Sequence, residues 1–290
     1  MALQFSPMGT ESGHSGSARA RRAGRAISYE VIEGGSARLV LIAGTGQPGA
    51  YWKVAQGSFA EWATCVVIDN AGAGSSDPLE EGDWSIANMA LDVSAVLDEL
   101  GWQSAHIAGH SLGSAIAIRL GVTQPERVLS LSLHSTWSAT SRAPHLQAWL
   151  EARQATSAVK DPSLWMRYAF FLVSPDHFAS HGFTGGALGA VGAVVADVGH
   201  SAHVGQYSAG LDHDAADQLA TLNMPTLVTV GVDDFITLPE YGRAVAKGIH
   251  GARFVEFPGT GHLSAIERPE LFNETQRRFI MSLEAEGQRE

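Results

Sequence analysis

Short apolar runs alternate with longer segments of helical periodicity from residue 26 onward. Runs such as RLVLIAG (38–44) and PTLVTVG (225–231) are typical of buried strands, because polar residues do not alternate with the apolar ones. In contrast, IANMALDVSAVLDELG (86–101) has apolar residues three and four positions apart and ends at a glycine, which predicts a helix. This alternation predicts an α/β fold: a mostly parallel central sheet with helices on both faces.

Between Trp137 and about Leu219 the alternation stops. Segments such as LQAWLEARQA have helical character, aromatic residues are frequent, and no clear strand is visible. We therefore predict an inserted helical cap over residues 139–219. The α/β core would then consist of residues 26–138 and 220–285.

The first 25 residues are rich in Gly, Ser and Arg and have no apolar periodicity. A segment of this composition buries too little apolar surface to fold alone. We therefore predict a disordered tail over residues 1–25.

Composition narrows the class of protein. The chain has 290 residues, of which 45% are hydrophobic and 17% charged, as in an ordinary globular protein with one domain or one domain and an insertion. The chain has 30 acidic and 19 basic residues, and this negative net charge argues against nucleic acid or an anionic membrane as a partner.

The single cysteine, Cys65, excludes an internal disulfide and suits a reducing compartment, so we predict a cytoplasmic protein. A homo-oligomer is compatible with these features.

The tripeptide GHS occurs three times, with its serine at positions 15, 111 and 201. Only Ser111 is followed by a second glycine in the pattern Gly109-x-Ser111-x-Gly113, between a strand-like run and a helix-like run. That context is typical of a nucleophile elbow, in which small flanking residues make room for a sharp turn. An isolated motif of this kind can also be a turn without a catalytic role.

A serine nucleophile needs a histidine base, and the histidine needs a carboxylate to orient it. Asp233 and Asp234 follow the predicted strand PTLVTVG, and His262 follows the predicted strand ARFVEFPG. Both groups would lie beyond the carboxyl ends of parallel strands, where open α/β sheets bind their ligands. Neighbouring residues point in roughly opposite directions, so only one of the two aspartates can reach His262.

These pieces, together with LVLIAGTG, VVIDNAGAGSSD and FPGTGH, resemble the α/β-hydrolase superfamily from residue 26 to about residue 283. The resemblance implies that Ser111 is the nucleophile and His262 the general base. It also implies that the acid is Asp234, because in related chains the acid lies three residues beyond the glycine that ends the strand, here Gly231.

The resemblance further implies an oxyanion hole formed by the main-chain N–H of Leu112 and a second N–H from the loop after Gly44, at Thr45. The sequence departs from the usual pattern close to this loop. Many relatives have His-Gly where this chain has Ala43-Gly44, and many have Arg where it has Asn70.

The predicted function is a metal-independent serine hydrolase without a cofactor, which cleaves a medium-sized small-molecule ester or lactone of a carboxylic acid through an acyl-enzyme intermediate. The apolar, aromatic cap predicts a substrate with a hydrophobic part, and the chain resembles cap-bearing esterases and enol-lactonases. One alternative is a carbon–carbon bond hydrolase, although many of these have Asn and Trp where this chain has His110 and Leu263. The other is a non-catalytic ligand-binding homologue, since fold alone does not determine function.

The predicted cap is rich in histidine. Pairs three or four residues apart could share a helical face and bind a metal ion, but no glutamate completes a zinc-protease motif with them. We therefore predict pocket or surface histidines and no metal site. The residues concerned are His177, His181, His200, His203 and His213. His110, beside the elbow serine, is predicted to be structural.

Overall fold

The computed structural model describes residues 15–157, 159, 168, 170–181 and 200–287. Strands within these residues form one eight-stranded sheet. In chain order they are β1 (Ser15–Arg22), β2 (Arg25–Ile32), β3 (Ala37–Ile42), β4 (Ala63–Ile68), β5 (Ala105–His110), β6 (Val128–His134), β7 (Thr226–Gly231) and β8 (Arg253–Phe257).

The strands lie in the order β1-β2-β4-β3-β5-β6-β7-β8 across the sheet. All pairs from β4 to β8 in that order are parallel, whereas β2 pairs antiparallel with both β1 and β4. The carboxyl ends of the parallel strands therefore meet at one edge of the sheet. The predicted α/β fold is confirmed.

Helices connect most of these strands. The α-helices of the described residues are α1 (Lys53–Ala60), α2 (Ile86–Glu99), α3 (Leu112–Thr123), α4 (Pro144–Thr156), α5 (Pro175–His181), α6 (His200–Leu211), α7 (Pro239–Gly248), α8 (Ser264–Glu267) and α9 (Pro269–Gly287). Short 3-10 helices span Gly49–Trp52, Pro125–Arg127, Thr140–Arg142 and Ala216–Thr221.

Local sequence signals determine where helix α2 begins and ends. Ser85 Oγ accepts a hydrogen bond from Asn88 N–H at 3.1 Å, which caps the first turn. At the other end Gly101 has a φ of +65°, in the left-handed region that terminates many helices. The predicted helix over 86–101 is thus present with nearly the predicted bounds.

Two apolar cores lie on opposite faces of the sheet. Along β3, Val40 and Ile42 belong to one core, which is covered by α2 and α3. Leu39 and Leu41 belong to the other, which is covered by α1 and α9. Successive strand residues point to opposite faces, so a strand covered on both sides reads as a continuous apolar run.

The predicted disordered tail is wrong for residues 15–22, which form β1; residues 1–14 lie outside the described residues. Ala20 is fully buried, while Arg19 and Arg21 are exposed, so the strand alternates between small inward and charged outward residues. Its link to β2 is a two-residue turn at Ala23 and Gly24, whose φ values of +49° and +80° are those of a tight hairpin.

Arginines at the hairpin turn also hold β1 in place. Arg22 Nε and Arg25 Nη2 each lie 2.6 Å from Asp92 Oδ1, and this carboxylate is buried on α2. The paired charges satisfy one another because each guanidinium donates to the same carboxylate. Arginines that suggested a solvated tail therefore fix an edge strand to a helix.

The described residues between β6 and β7 form helices, and their β-type pairing is a single bridge between Ala139 and Asp214. This agrees with the helical character expected there. The division into a core of residues 26–138 and 220–285 and a cap of residues 139–219 stays a prediction. No helix among the described residues is long and apolar enough to cross a membrane.

Candidate active site

Three predicted site residues follow strands of the parallel part of the sheet. Ser111 comes directly after β5, Asp234 lies three residues beyond the end of β7, and His262 lies between β8 and α8. Because these strands are parallel, all three residues lie at the same edge of the sheet.

Ser111 occupies a strained turn between β5 and α3. Its φ of +52° lies in the left-handed region, which is rare for a residue with a side chain. A Cβ on Gly109 would lie 2.2 Å from Gly113 O, and a Cβ on Gly113 would lie 2.2 Å from Ile42 O. Neither position can hold a larger residue without moving the main chain, which explains the spacing of the motif.

Main-chain hydrogen bonds fix this turn. Ser111 N–H donates to His134 O at 2.9 Å, and Ser114 N–H donates to Ser111 O at 2.8 Å. The first bond links the serine to β6, and the second begins α3. The side chain is half-buried and lines a cavity that His262 also lines.

Asp234 and His262 form a buried pair. His262 Nδ1 lies 2.9 Å from Asp234 Oδ2 and 3.0 Å from Oδ1. The carboxylate accepts, so Nδ1 carries the proton and Nε2 is the nitrogen available as a base. The two residues are 2% and 4% exposed, so little water competes for this hydrogen bond.

The loop after β7 holds the carboxylate of Asp234. Ile236 N–H and Thr237 N–H donate to Oδ1 at 2.9 and 3.0 Å, and Thr237 Oγ1 donates to Oδ2 at 2.8 Å. Burial alone would raise the pKa of Asp234. Attraction to His262 and the hydrogen bonds that the carboxylate accepts outweigh burial, so the pKa lies below its ordinary value.

The neighbouring Asp233 is exposed, and its main-chain N–H donates to Thr260 O at 2.9 Å. The structure therefore brings Asp234, and not Asp233, to His262. This is the residue that the spacing from Gly231 selects.

Two residues beside the pair hold the main chain of His262. His110 Nε2 donates to His262 O at 2.8 Å, and Ser135 Oγ donates to the same oxygen at 3.3 Å. The His110 ring stacks on Tyr51 with 4.9 Å between ring centroids. Burial, followed by repulsion from His262, lowers the pKa of His110 well below its ordinary range, so this ring is neutral. These contacts are those of a structural residue.

The loop after β3 lies beside Ser111, and side-chain amides occupy two of its N–H groups. Gly44 N–H donates to Gln47 Oε1 at 3.0 Å, and Gly46 N–H donates to Gln206 Oε1 at 2.7 Å. No hydrogen bond within the described part of the chain engages the N–H of Thr45, which lies between them. Thr45 lines the same cavity as Ser111.

The other predicted oxyanion donor, Leu112, is the first residue of α3, where the opening N–H groups have no partner inside the helix. Asn70, which stands where many relatives have Arg, also has a structural role. Asn70 Nδ2 donates to Ala43 O at 2.8 Å, so this side chain anchors the start of the β3 loop.

The cavity wall is mostly apolar and aromatic. Sequence reasoning did not single out Gln47, Arg153 or Tyr207, because an amide, a charged residue and a tyrosine are ordinary in loops and helices. Only tertiary packing brings them to Ser111. The described lining residues are Gly44, Thr45, Gln47, His110, Ser111, Trp137, Leu146, Trp149, Leu150, Arg153, Tyr168, Leu172, Tyr207, Ile236 and His262.

The other candidates have ordinary surroundings. Ser201 is exposed on α6, away from any elbow. His213 Nε2 donates to Trp137 O at 3.3 Å, and the ring of His203 stacks on Tyr207. Over the described residues, no group of three or more His, Cys, Asp or Glu side chains could hold a metal ion.

A family comparison agrees with this geometry. The model of the alpha/beta hydrolase family matches residues 39–275, which include the β3 loop, the elbow and the Asp234–His262 pair. The chain belongs to the alpha/beta hydrolase family. The resemblance seen in the sequence is thus confirmed.

Relatives of this α/β hydrolase differ in the activities that their names describe. RutD of Azorhizobium caulinodans, named for carbamate hydrolysis, is 28% identical over 251 residues, covering 87% of this chain and 94% of RutD. BpoC of Mycobacterium tuberculosis, named as a non-heme bromoperoxidase, is 29% identical over 255 residues, covering 85% and 95%. The solved structure of Est816, described as an N-acyl homoserine lactone degrading enzyme, has a TM-score of 0.78 at 25% identity, covering 90% and 100%.

Proposed function

We propose that this protein is a serine hydrolase that cleaves a carboxylic ester or lactone through an acyl-enzyme intermediate, without a metal ion or cofactor. The observation that carries the proposal is one arrangement. Ser111, at a strained strand-to-helix turn, lines the same cavity as His262, whose Nδ1 is bonded to the buried Asp234. These are the nucleophile, the base and the orienting carboxylate of a serine triad.

The first step forms the acyl-enzyme. His262 Nε2 accepts the hydroxyl proton while Ser111 Oγ attacks the substrate carbonyl carbon. The same proton then passes from His262 to the leaving oxygen as the carbonyl–oxygen bond breaks, which releases an alcohol. In a lactone the released hydroxyl stays attached to the acyl group.

A second half-reaction regenerates the enzyme. The oxygen of a water molecule attacks the acyl carbon while His262 takes a proton from that water. His262 then returns the proton to Ser111 Oγ as the bond between Oγ and the acyl carbon breaks, which releases a carboxylic acid. Throughout, the ionised Asp234 fixes the tautomer of His262 and stabilises the imidazolium. Its lowered pKa keeps this carboxylate charged at neutral pH.

Negative charge develops on the substrate carbonyl oxygen in both half-reactions. The N–H groups of Leu112 and Thr45 are the proposed donors to this oxygen. The N–H of Leu112 is at the start of a helix, and that of Thr45 lies between the N–H groups of Gly44 and Gly46, which already donate to side chains. The hydrogen bonds that fix Gly44 and Gly46 would hold the Thr45 peptide group in place before substrate binds.

The cavity wall supports a substrate with a hydrophobic part, because Trp137, Trp149 and Leu150 face it. RutD is named for the hydrolysis of a carbamate, and Est816 is described as degrading an N-acyl homoserine lactone. Both substrates contain a carbonyl carbon bonded to a heteroatom, the same electrophile as in an ester. A substrate panel should therefore contain p-nitrophenyl esters of increasing chain length, lactones and aryl carbamates.

The test is covalent labelling with a fluorophosphonate alongside that panel. Wild-type protein should be labelled and hydrolyse members of the panel, in the presence of EDTA as well as without it. Ser111→Ala should remove the label and reduce turnover by at least about a thousandfold. The matched control is Ser201→Ala, which changes the exposed serine of another GHS tripeptide.

Three outcomes would count against the proposal. A folded wild-type protein that is neither labelled nor active would favour a non-catalytic binding protein. Labelling without hydrolysis of any ester, lactone or carbamate, but with cleavage of a β-diketone, would favour a carbon–carbon bond hydrolase. Loss of activity in EDTA that zinc restores would contradict a metal-independent mechanism.

A further inference from the structure

Two cavities share a wall at Trp137. The first is the cavity above Ser111, with a volume of about 60 Å³. The second lies between Trp137 and helix α7 and has a volume of about 270 Å³. Among the described residues that line the two cavities, Trp137 is the one common to both. This tryptophan therefore separates the candidate active site from a larger space behind it.

The indole of Trp137 is held in one orientation. Its Nε1–H donates to Thr140 Oγ1 at 2.8 Å, and Thr140 Oγ1 in turn donates to Gly210 O at 2.6 Å. The ring of His213 packs edge-on against the indole, with 5.3 Å between ring centroids. Trp137 is 2% exposed. A side chain fixed by these contacts cannot turn aside without breaking a buried hydrogen bond.

The volume of the first cavity limits what can bind beside Ser111. A water molecule needs about 10–15 Å³ on this scale, so the first cavity accepts roughly four to six water-sized groups and the second roughly twenty. A butyryl group, with four carbons and one oxygen, fills the first cavity. A longer acyl chain could pass into the second cavity only by displacing the indole.

The second cavity has a wall that suits a hydrocarbon chain. Small apolar side chains form much of it, and polar groups are few. The size of Trp137, rather than the polarity of the space behind it, therefore keeps an alkyl chain out. The small apolar residues of this wall are Ala139, Ala143, Ala216, Leu219 and Ala244.

We propose that Trp137 sets the length of the acyl group, so that this enzyme prefers esters of acids with about two to four carbons over esters of acids with eight or more. The acyl group stays bonded to Ser111 Oγ after the alcohol leaves, so it is the part of the substrate that must lie within the cavity while water attacks. This inference rests on the proposed function of Ser111.

The experiment uses p-nitrophenyl esters of straight-chain acids from acetate to dodecanoate. For wild-type protein, kcat/KM should be highest for acetate or butyrate and at least about tenfold lower for octanoate. Trp137→Ala should raise the octanoate-to-acetate ratio of kcat/KM at least about tenfold, because the two cavities then join. Trp137→Leu keeps more of the apolar volume and should raise the ratio less, which covers the case in which the alanine variant does not fold.

A second substitution tests whether the longer chain enters the second cavity. Ala244 is exposed on α7 and lines that cavity, so Ala244→Phe should block it without disturbing the core. Added to Trp137→Ala, it should abolish the gain with octanoate and leave acetate hydrolysis unchanged, and alone it should have no effect. The control for loss of a tryptophan is Trp102→Ala, a half-buried residue outside the described walls of both cavities, which should not alter the ratio.

Three results would overturn the proposal. One is a wild-type protein that hydrolyses octanoate as well as butyrate. Another is a ratio that stays unchanged in the folded Trp137 variants, or that rises but is not reversed by Ala244→Phe. The third is an effect of Trp137→Ala on alkyl acetates of increasing alcohol length instead of on the acyl series, since the cavity would then bind the leaving group.

A binding measurement separates this inference from the proposed function. In the Ser111→Ala background, butyramide should raise the melting temperature with or without Trp137→Ala. Octanamide should raise it only when Trp137→Ala is also present. If this pattern is found but wild-type protein hydrolyses no ester, the role of Trp137 stands and the hydrolase proposal fails. If esters are hydrolysed and octanamide binds equally well with and without Trp137→Ala, Trp137 does not limit the chain.

Discussion

Gly46 N–H donates to Gln206 Oε1 at 2.7 Å, which joins the loop after β3 to helix α6. The amide nitrogen of the same side chain donates to Ala71 O at 2.9 Å, and Gln206 is fully buried. One glutamine thus ties α6 to two loops at the carboxyl edge of the sheet. Because Thr45 lies next to Gly46, the position of a proposed oxyanion donor depends on a side chain that is 160 positions from Gly46 along the chain.

Gln206→Met should therefore impair catalysis more than binding. The substitution nearly preserves the volume of the side chain but removes both hydrogen bonds, so Gly46 loses its acceptor and the β3 loop can shift. We expect kcat for a p-nitrophenyl ester to fall about 10- to 100-fold, with a smaller change in KM. Steady-state kinetics with circular dichroism as a check on folding would measure this.

The control for that variant is Gln154→Met, because Gln154 Nε2 donates to Val204 O and Ser208 Oγ on α6 and has no hydrogen bond to the β3 loop within the described part of the chain. It should lower kcat by no more than about threefold. Equal effects of the two substitutions would mean that packing of the helical segment, rather than the anchoring of Gly46, controls the rate.

The two neighbouring aspartates after β7 allow the turnover of two matched variants to be compared. Asp234→Asn removes the charge that orients His262 and stabilises its protonated form, so turnover at neutral pH should fall on the order of ten-thousand-fold. Asp233 is exposed and has no side-chain contact with His262 among the described residues, so Asp233→Asn should stay within about tenfold of wild type. Matched kinetics of the two variants give the ranking; the reverse order would assign the acid to Asp233.

Much of this arrangement could be predicted from the sequence because its signals are local. The elbow needs Gly109 and Gly113 for steric reasons that act within a few residues, and strands buried on both faces must be apolar throughout. The choice of Asp234 followed from its spacing to Gly231. A Cβ on Gly231 would lie 2.2 Å from Gly261 O, so this spacing reflects close packing of the two loops that hold Asp234 and His262.

Other features could not be predicted because they depend on distant partners. Strand β1 consists of Ser, Gly, Ala and Arg, which have weak strand propensity, and it is stabilised by pairing with β2 and by Asp92. Gln206 is an unremarkable helix residue until the fold brings it to the loop after β3, and Arg153 is one until the fold brings it to the cavity. Signals of this kind appear only once tertiary contacts are known.

Buried histidines outside the proposed triad make stability sensitive to acid. Burial lowers the pKa of His134 to about 3, and burial, opposed in part by a hydrogen bond to Trp137 O, lowers that of His213 to about 4. An unfolded chain would bind protons at both residues near pH 6.5. Below that pH the unfolded state therefore takes up more protons than the folded state, and folding free energy is lost as the pH falls toward the folded pKa values.

The size of the effect follows from linkage. Each histidine contributes a slope of at most about 1.4 kcal/mol per pH unit, so the two together should cost about 4 kcal/mol between pH 7 and pH 5. Urea unfolding at pH 7, 6 and 5 measures this loss. In His134→Asn and His213→Gln the loss should be smaller by about 2 kcal/mol each, because an amide does not titrate.

These two substitutions are chosen to keep the existing hydrogen bonds. The amide of Asn can replace His134 Nδ1 in its 2.7 Å contact with Thr229 Oγ1, and that of Gln can replace His213 Nε2 as the donor to Trp137 O. The comparison is the difference in unfolding free energy between pH 7 and pH 5, so a general loss of stability cancels. His250→Asn, at an exposed position, should leave that difference unchanged. If both buried variants retain the full wild-type loss, protonation of other groups drives acid unfolding, and these histidines do not.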